Sequence, residues 1–216
     1  KVINGARAVL DHYRPHIPIH PDWPMVKVGG LVEINNGYVL TEFWPKGTIA
    51  CIKVSDMNLE ENQIEIVTTS HWIESTDKRL VPIDSVVFPK RGAAIGTNKK
   101  RITKIPCLID NNCMALTVRP EASLHPRYLF NFLLGFNLSS ISNSAGIALI
   151  NNGDISGVEI PLPPLVTQQA IVAEIEAERA LVAGNRNLVA RFEKKIQATL
   201  ARVWGEDEPA PAEADA

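Results

Sequence analysis

The chain has 216 residues, enough for one domain and an appendage, and 45% of them are hydrophobic, which is enough to build a core. The formal net charge of −2 shows no overall excess of basic residues. Three cysteines without CxxC spacing exclude a disulfide framework and a zinc knuckle. Because no apolar run is long enough for a membrane span and no signal segment opens the chain, we expect a cytoplasmic protein with no membrane partner.

Residues 1–20 are predicted to form an N-terminal helix and linker, with the helix over 2–13 ending before Pro15. His16 and His20 in the linker are either metal ligands or solvated side chains. No third ligand stands at metal spacing, so the sequence favours solvated histidines and predicts no metal site. A chain that begins with Lys1 is expected to be trimmed or a piece of a longer polypeptide.

Residues 21–165 carry the signals of a mixed globular domain. Short runs rich in β-branched residues predict strands at residues 25–29, 31–34, 48–54, 64–69, 80–83, 86–89, 107–109 and 114–118. An apolar run predicts a core helix over 126–136, and polar clusters predict turns at 143–146 and 151–154. We therefore predict a mixed α/β fold, with a mixed or antiparallel sheet and short helices.

A loop over residues 41–47 carries two aromatic side chains, Phe43 and Trp44. These rings either close the edge of the core or contact the groove of a nucleic acid, and the sequence leaves both alternatives open.

The charge distribution is uneven. Between Asp84 and Asp110 there are six basic residues and no acidic one, and residues 97–101 predict a basic turn at a hairpin tip. Such a tip is either a solvated turn or a phosphate contact. We predict phosphate contacts from the basic residues and base-edge contacts from a lysine and an asparagine. The predicted DNA-binding set is Lys53, Lys90, Arg91, Asn98, Lys99, Lys100, Arg101 and Lys104.

A long helix follows a proline-rich run. Residues 160–164 are predicted to be extended, Thr167 to cap the helix, and the helix to continue to Trp204, which makes it roughly 55 Å long. Its apolar residues recur every seven positions, the period of a helix that packs along another helix. The alternative is an amphipathic helix lying on its own domain. The predicted partner-facing residues are Ile175, Val182, Asn185, Val189, Phe192 and Ile196.

The coiled-coil helix is assigned to residues 166–205, and the acidic residues 206–216 are predicted to be a disordered tail. The sequence contains no GxSxG elbow, HExxH pair, Walker loop or GxGxxG turn, and no methyltransferase motif. Its carboxylates are scattered singly. We therefore predict no catalytic residues.

Four segments carry a resemblance to a known family: residues 52–57, residues 87–96, the pair Tyr128-Leu129, and the junction at 160–172. Together they resemble the DNA specificity subunits of type I restriction–modification systems. The junction is the most specific of the four. The chain departs from the family at Thr167, where an acid is common, and at Ile147, where a small hydroxyl residue is common.

The resemblance implies a target recognition domain that reads one half of a bipartite site in double-stranded DNA. It implies a conserved coiled-coil helix that docks a DNA adenine methyltransferase subunit, and S-adenosylmethionine would then bind that partner and not this chain. Family members usually carry two such repeats with antiparallel helices, so one repeat implies a homodimer through the helix. Whether a restriction subunit joins stays open.

Two alternatives remain at this stage. In the first alternative, the chain is the C-terminal specificity region of a fused N6-adenine methyltransferase and restriction polypeptide. In the second, it is an adaptor that binds protein through its helix. Salt-dependent affinity for duplex DNA separates the adaptor from the other readings.

Overall fold

The structure, a computed structural model, describes residues 5, 15–17, 19–143 and 146–204. The chain divides into two compact units, Arg14–Glu174 and a second unit of Lys1–Tyr13 with Ile175–Ala216. Apart from Gly5, the helix predicted over 2–13 lies outside the described residues, and so does the tail over 206–216.

The described residues form short strands and three α-helices. The helices are α1 (Pro126–Gly135), α2 (Asn152–Ser156) and α3 (Leu165–Trp204). The strands are β1 (Met25–Lys27), β2 (Val32–Asn35), β3 (Ile49–Ile52), β4 (Glu65–Ile66), β5 (Trp72–Ile73), β6 (Val86–Pro89), β7 (Arg101–Thr103), β8 (Cys107–Ile109), β9 (Cys113–Val118) and β10 (Glu159–Pro161).

Two mixed sheets and the two-stranded antiparallel sheet β1-β10 build the unit Arg14–Glu174. The larger has the order β2-β9-β6-β7-β4, in which only the β4–β7 pair is parallel. The smaller has the order β5-β3-β8, with β3 and β8 parallel. The predicted mixed α/β class is confirmed.

The core lies where residues of the two mixed sheets meet. Ile52 and Ile109 from the smaller sheet and Ile66 and Val87 from the larger are all fully buried in one cluster. Burial of such side chains contributes on the order of 2 kcal/mol each to folding. Cys51, Cys107 and Cys113 are also buried and free, and burial raises the pKa of each thiol.

Two local predictions are wrong. Residues 80–83 form no strand, and Val81 makes only an isolated bridge to Cys107. The turn predicted at 151–154 is the start of α2, because Asn151 and Asp154 form a capping box in which the Asn151 N–H donates to Asp154 Oδ2 at 2.7 Å.

The proline-rich run is extended, as predicted, and it ends in a paired strand. β10 pairs with β1 in antiparallel register, Val26 opposite Ile160. The Tyr128 hydroxyl, on α1, donates to Pro161 O at 2.9 Å. Burial raises the pKa of Tyr128 to about 12, so this hydroxyl keeps its proton and remains a donor. The start and the end of the unit Arg14–Glu174 are thus joined next to the start of the long helix.

Helix α3 begins at Leu165, so Thr167 lies in its first turn and the prediction that Thr167 caps it is wrong. The predicted continuous helix itself is confirmed, and its 40 residues correspond to about 60 Å. Among the described residues, no helix is both long and apolar enough to cross a membrane.

Beyond residue 175 the helix presents an apolar stripe. Val182 and Val189 are half-buried, while Phe192 and Ile196 are 49% and 44% exposed. Asn185 lies between Val182 and Val189 and is exposed. Ile175, the first predicted stripe residue, is buried. The stripe therefore combines apolar chemistry with substantial exposure.

Candidate nucleic-acid interface

Lys53 lies at the carboxyl end of β3, where the chain turns into a 3₁₀ helix, Val54–Asn58. Its Nζ lies 3.8 Å from the centroid of the Phe43 ring, a cation–π contact. The half-buried Phe43 meets the His71 ring edge to face, with centroids 5.0 Å apart at 78°. The phenyl ring thus joins a cation and an imidazole, which we call the Lys53–Phe43–His71 cluster.

A buried carboxylate lies under this cluster. Asp56 is 1% exposed; its Oδ2 accepts the backbone N–H of Lys53 at 2.8 Å and its Oδ1 accepts that of Ser70 at 3.0 Å. His71 Nδ1 lies 3.1 Å from Oδ2. These hydrogen bonds offset the cost of removing the carboxylate from water. Asp56 therefore fixes the position of the imidazole relative to the end of β3.

The loop that carries Phe43 is anchored through its backbone. Trp44 and Trp72 exchange two backbone hydrogen bonds, of 2.8 and 2.9 Å. Gly47 passes so close to β5 that a Cβ there would lie 2.9 Å from Ile73 O. The Trp44 side chain itself is 59% exposed, so it does not close the core edge, and it remains on the surface beside the cluster.

Lys99 joins the same surface, because its Nζ donates to the Asn58 side chain at the end of the 3₁₀ helix that follows Lys53. Asn98 plays a structural part. With φ of 54° it caps the preceding 3₁₀ helix, and its Oδ1 accepts Leu138 N at 2.9 Å and Lys100 Nζ at 2.7 Å. Only the Nδ2 donor of Asn98 is left for the predicted contact with a base edge.

The prediction of an exposed basic turn is wrong for Lys100 and Arg101. Lys100 is 1% exposed, its Nζ donates to Phe136 O, and burial lowers its pKa to about 8. Arg101 is 8% exposed and its guanidinium donates to the backbone oxygens of Asn62 and Met57. These donors satisfy main-chain acceptors inside the domain, so neither side chain is presented to a phosphate.

A second basic group follows β6. Lys90 Nζ donates to the backbone oxygen and to Oδ1 of Asn36, at 2.8 and 3.0 Å, and burial lowers its pKa. Asn36 Nδ2 in turn donates to Asn152 Oδ1 at 2.8 Å. Arg91 is exposed, and its backbone bridges to Leu149. Of this pair, Arg91 has the side chain that can reach a phosphate without breaking a described contact.

Lys104 stands apart from both groups. Its Nζ lies 3.7 Å from Glu65 Oε1, which also accepts from Arg127, so part of its charge is neutralised within the domain. The predicted basic tip is therefore not one surface. Among the described contacts, none joins Lys53 and Lys99 to Lys90 and Arg91, and phosphate binding by these residues stays a prediction.

Two residues with clear roles were not singled out from the sequence. His71 is one of five histidines with no spacing pattern to mark it, and its partner Asp56 lies 15 positions away. Gln168 is fully buried at the junction, whereas the adjacent Gln169 is exposed.

In the described part of the chain, no three His, Cys, Asp or Glu side chains come together as a metal site.

Comparison with known proteins places this geometry in a family. The sequence model of the type I restriction modification DNA specificity domain matches residues 21–182, three quarters of the chain. The chain belongs to this family. The match covers both mixed sheets, the junction and the first part of α3. No curated protein sequence is similar enough to the chain to count as a match.

Solved structures share the fold at low identity. A chain from work on complex assembly and conformational transition of the type I R-M system is 19% identical with a TM-score of 0.70, covering 92% of this chain and 50% of that one. The HsdS subunit from Thermoanaerobacter tengcongensis is 21% identical with a TM-score of 0.63, covering 93% and 51%. The S subunit from M. genitalium is 14% identical with a TM-score of 0.54, covering 91% and 50%. The specificity-domain chain thus spans about half the length of these relatives.

Proposed function

We propose that this chain is a sequence-specific DNA recognition module of a type I restriction–modification system. Residues 21–165 read one half of a bipartite site, and helix α3 docks a DNA adenine methyltransferase subunit. The chain itself is non-catalytic. S-adenosylmethionine binds the partner, a restriction subunit is a further candidate partner, and the complex works in the cytoplasm, where its DNA target lies.

The observation that carries the proposal is the family match over residues 21–182. The surface supports it: Lys53 and Lys99 flank one 3₁₀ helix next to a half-buried phenyl ring and a partly exposed imidazole, and Arg91 is exposed elsewhere on the unit. Cations of this kind bind phosphates, and polar groups on a fixed backbone read base edges. A net charge of −2 is compatible with DNA binding because the acidic residues lie outside the basic stretch.

Affinity for duplex DNA measured as a function of salt tests the proposal. Fluorescence anisotropy of a labelled, randomised duplex pool gives the slope of log affinity against log salt, and each phosphate contact contributes roughly one to that slope. We expect Arg91→Ala and Lys99→Ala each to lower the slope by about one. Lys100 and Arg101 are unsuitable for this test, because their replacement breaks contacts inside the domain.

The matched control is Arg79→Ala. Arg79 is exposed and pairs with Glu33 at 2.7 Å, and it lies outside the predicted set. It should leave the slope unchanged. If the wild-type chain shows no salt-dependent affinity for duplex DNA, the recognition function is wrong. If Arg79→Ala and Arg91→Ala have equal effects, the basic-stretch assignment is wrong while the function stands.

We further propose that the apolar stripe of α3 pairs with the same stripe of a second copy, in antiparallel orientation. Phe192, Ile196 and Leu200 are each 44–49% exposed, an apolar surface that a helix does not leave bare in water without cost. A two-fold pair of identical chains reads a palindromic target with a spacer. Because the solved relatives are about twice as long as this chain, the competing arrangement is a second helix within one longer polypeptide.

Light scattering coupled to gel filtration tests the pairing. We expect a dimeric mass at tens of micromolar, and a monomer for Val182→Glu combined with Val189→Glu, because two buried carboxylates in the seam oppose association. The control is Ala180→Glu with Asn187→Glu, which adds the same charge at the same spacing on the opposite face. A wild-type monomer, or a dimer that survives the valine changes, would exclude pairing through the stripe.

A further inference from the structure

The Lys53–Phe43–His71 cluster contains one polar atom that the fold orients but does not use. His71 Nδ1 lies 3.1 and 3.3 Å from the two carboxylate oxygens of Asp56. Both of these oxygens already accept backbone N–H groups, so the carboxylate acts as acceptor throughout. Nδ1 is therefore the nitrogen that carries the proton, and in the neutral ring the lone pair resides on Nε2.

Nε2 lies across the ring from Asp56. The His71 side chain is 24% exposed, and no residue in the described part of the chain hydrogen-bonds to Nε2. Here one nitrogen is anchored on a buried carboxylate and the other is a free acceptor on a partly exposed ring.

The ring is also held rigidly. The His71 backbone N–H donates to Thr69 Oγ1 at 3.0 Å, and its carbonyl accepts Cys51 N at 2.8 Å, which ties it to the edge of β3. The edge-to-face contact with Phe43 restricts ring rotation from the side. Groups that read bases must be held within a fraction of an ångström, and an anchored imidazole meets that requirement better than a flexible lysine.

The segment before His71 is fixed in the same way. Asn62 is fully buried, and its amide makes four hydrogen bonds: Nδ2 donates to Asp56 O at 2.9 Å and Thr68 O at 2.8 Å, and Oδ1 accepts Val67 N at 2.9 Å and Thr68 N at 3.3 Å. One asparagine thus locks the backbone of residues 67–68 to the 3₁₀ helix that holds Asp56. Both halves of the Asp56–His71 pair are positioned by the same side chain.

We propose that His71 is a specificity-determining residue that accepts, through Nε2, a hydrogen bond from the exocyclic amino group of adenine or cytosine in the major groove. These amino groups are the donors that the major groove displays, N6 of adenine and N4 of cytosine. Lys53, whose Nζ lies over the Phe43 ring, supplies a donor for the neighbouring acceptors. Asp56 is a positioning residue that sets the tautomer and does not contact DNA. This assignment rests on the proposed DNA-recognition function.

A chemical double-mutant cycle tests the assignment. The wild-type chain is first used to select its consensus from a randomised duplex pool. Each adenine or cytosine of the consensus is then replaced in turn by an analogue that lacks the exocyclic amino group. We expect one position at which the analogue lowers wild-type affinity about five- to tenfold, the size expected for one lost base contact.

His71→Ala should bind the unmodified site with a similar loss and should show no further loss with the analogue at that position, so that the two changes are coupled. Coupling is insensitive to a general folding defect, since such a defect weakens both DNAs equally. The matched control is His20→Ala: His20 is also paired with an aspartate, Asp22 at 3.4 Å, but both side chains are exposed, and this pair should show no coupling at any position.

The outcomes distinguish a failure of the proposed DNA-recognition function from a failure of the role assigned to His71. A wild-type chain that binds no duplex refutes the recognition function, and with it this role of His71. A wild-type chain that selects a consensus but shows no coupling between His71 and any amino group leaves the function in place and overturns the assignment of His71. Coupling at an adenine or a cytosine also identifies which of the two bases His71 contacts.

Discussion

Gln168 is the side chain whose loss should most clearly weaken the junction between the recognition unit and its helix. It is fully buried in the first turn of α3. Its Oε1 accepts the backbone N–H of His125 at 2.8 Å, and its Nε2 donates to the carbonyls of Ser123 at 2.9 Å and Pro163 at 2.8 Å. One amide therefore joins the start of α1, the loop before it and the proline-rich run.

The expected cost of Gln168→Ala follows from these three partners. The bond to Pro163 O is buried, so its loss strands an acceptor at about 1–3 kcal/mol. The bonds to His125 and Ser123 are partly buried, and water replaces them at about 0.5–1 kcal/mol each. Together these give about 2–5 kcal/mol, a large share of the roughly 5–15 kcal/mol by which domains are stable.

Urea denaturation monitored by tryptophan fluorescence measures this change, with Trp23, Trp44 and Trp72 as reporters within the recognition unit. The control is Gln169→Ala, the same substitution on the next residue, which is exposed and should shift stability by less than about 0.5 kcal/mol. Comparing the two variants cancels the gain in helix propensity that alanine brings to each of them. Equal midpoints for the two variants would show that the hydrogen bonds of the Gln168 side chain do not stabilise the junction.

Two further predictions concern Gly37 and Lys100. Gly37→Ala should destabilise the fold by more than about 2 kcal/mol, because Gly37 has φ of +71° and a Cβ there would lie 2.2 Å from Asp110 O. The control is Gly30→Ala, since a Cβ at Gly30 meets no atom within 4 Å. Equal unfolding midpoints for the two variants would contradict this prediction. The pKa of Lys100 is lowered from 10.5 to about 8, so between these values the unfolded state binds more protons and stability rises with pH. The free energy of unfolding of wild type relative to Lys100→Met should therefore increase by about 1–2 kcal/mol from pH 8 to 9.5, and a decrease would exclude a buried, desolvated ammonium.

The elements that the sequence predicts correctly are those with a strong local signal. The run Val86–Pro89 is continuous and apolar, and it is a fully buried strand within the larger sheet. The seven-residue period of α3 extends over many turns, and three prolines within four residues define where the helix cannot yet begin. Each of these signals lies within a few neighbouring residues, so no knowledge of tertiary contacts is needed to interpret it.

The elements that the sequence misses depend on distant partners. β5 has two residues and counts as a strand only because it pairs with β3, and the three residues of β7 form a strand through their pairing with β4 and β6. His71 gains its role from Asp56, 15 positions earlier, and Gln168 from residues 43 and 45 positions earlier. Nothing in the local composition separates the buried Gln168 from the exposed Gln169.

The burial of Lys100 and Arg101 follows from the irregular backbone of this domain. Short 3₁₀ helices leave carbonyl oxygens without N–H partners at their ends. Arg101 donates to Met57 O and Asn62 O, which belong to the 3₁₀ helices Val54–Asn58 and Glu60–Asn62. Lys100 donates to Phe136 O, directly after α1. A basic side chain with several donors can satisfy such carbonyls where no backbone N–H can reach them.

Part of the basic charge between Asp84 and Asp110 therefore serves the architecture. Two of the six cations are internal, Lys90 is held by Asn36, and Lys104 shares its charge with Glu65. Only Arg91 and Lys99 of this stretch present cationic groups that can reach phosphate with little rearrangement. The salt dependence of DNA binding should accordingly be shallower than a count of basic residues indicates, and recognition must rely more on groups fixed in position than on charge.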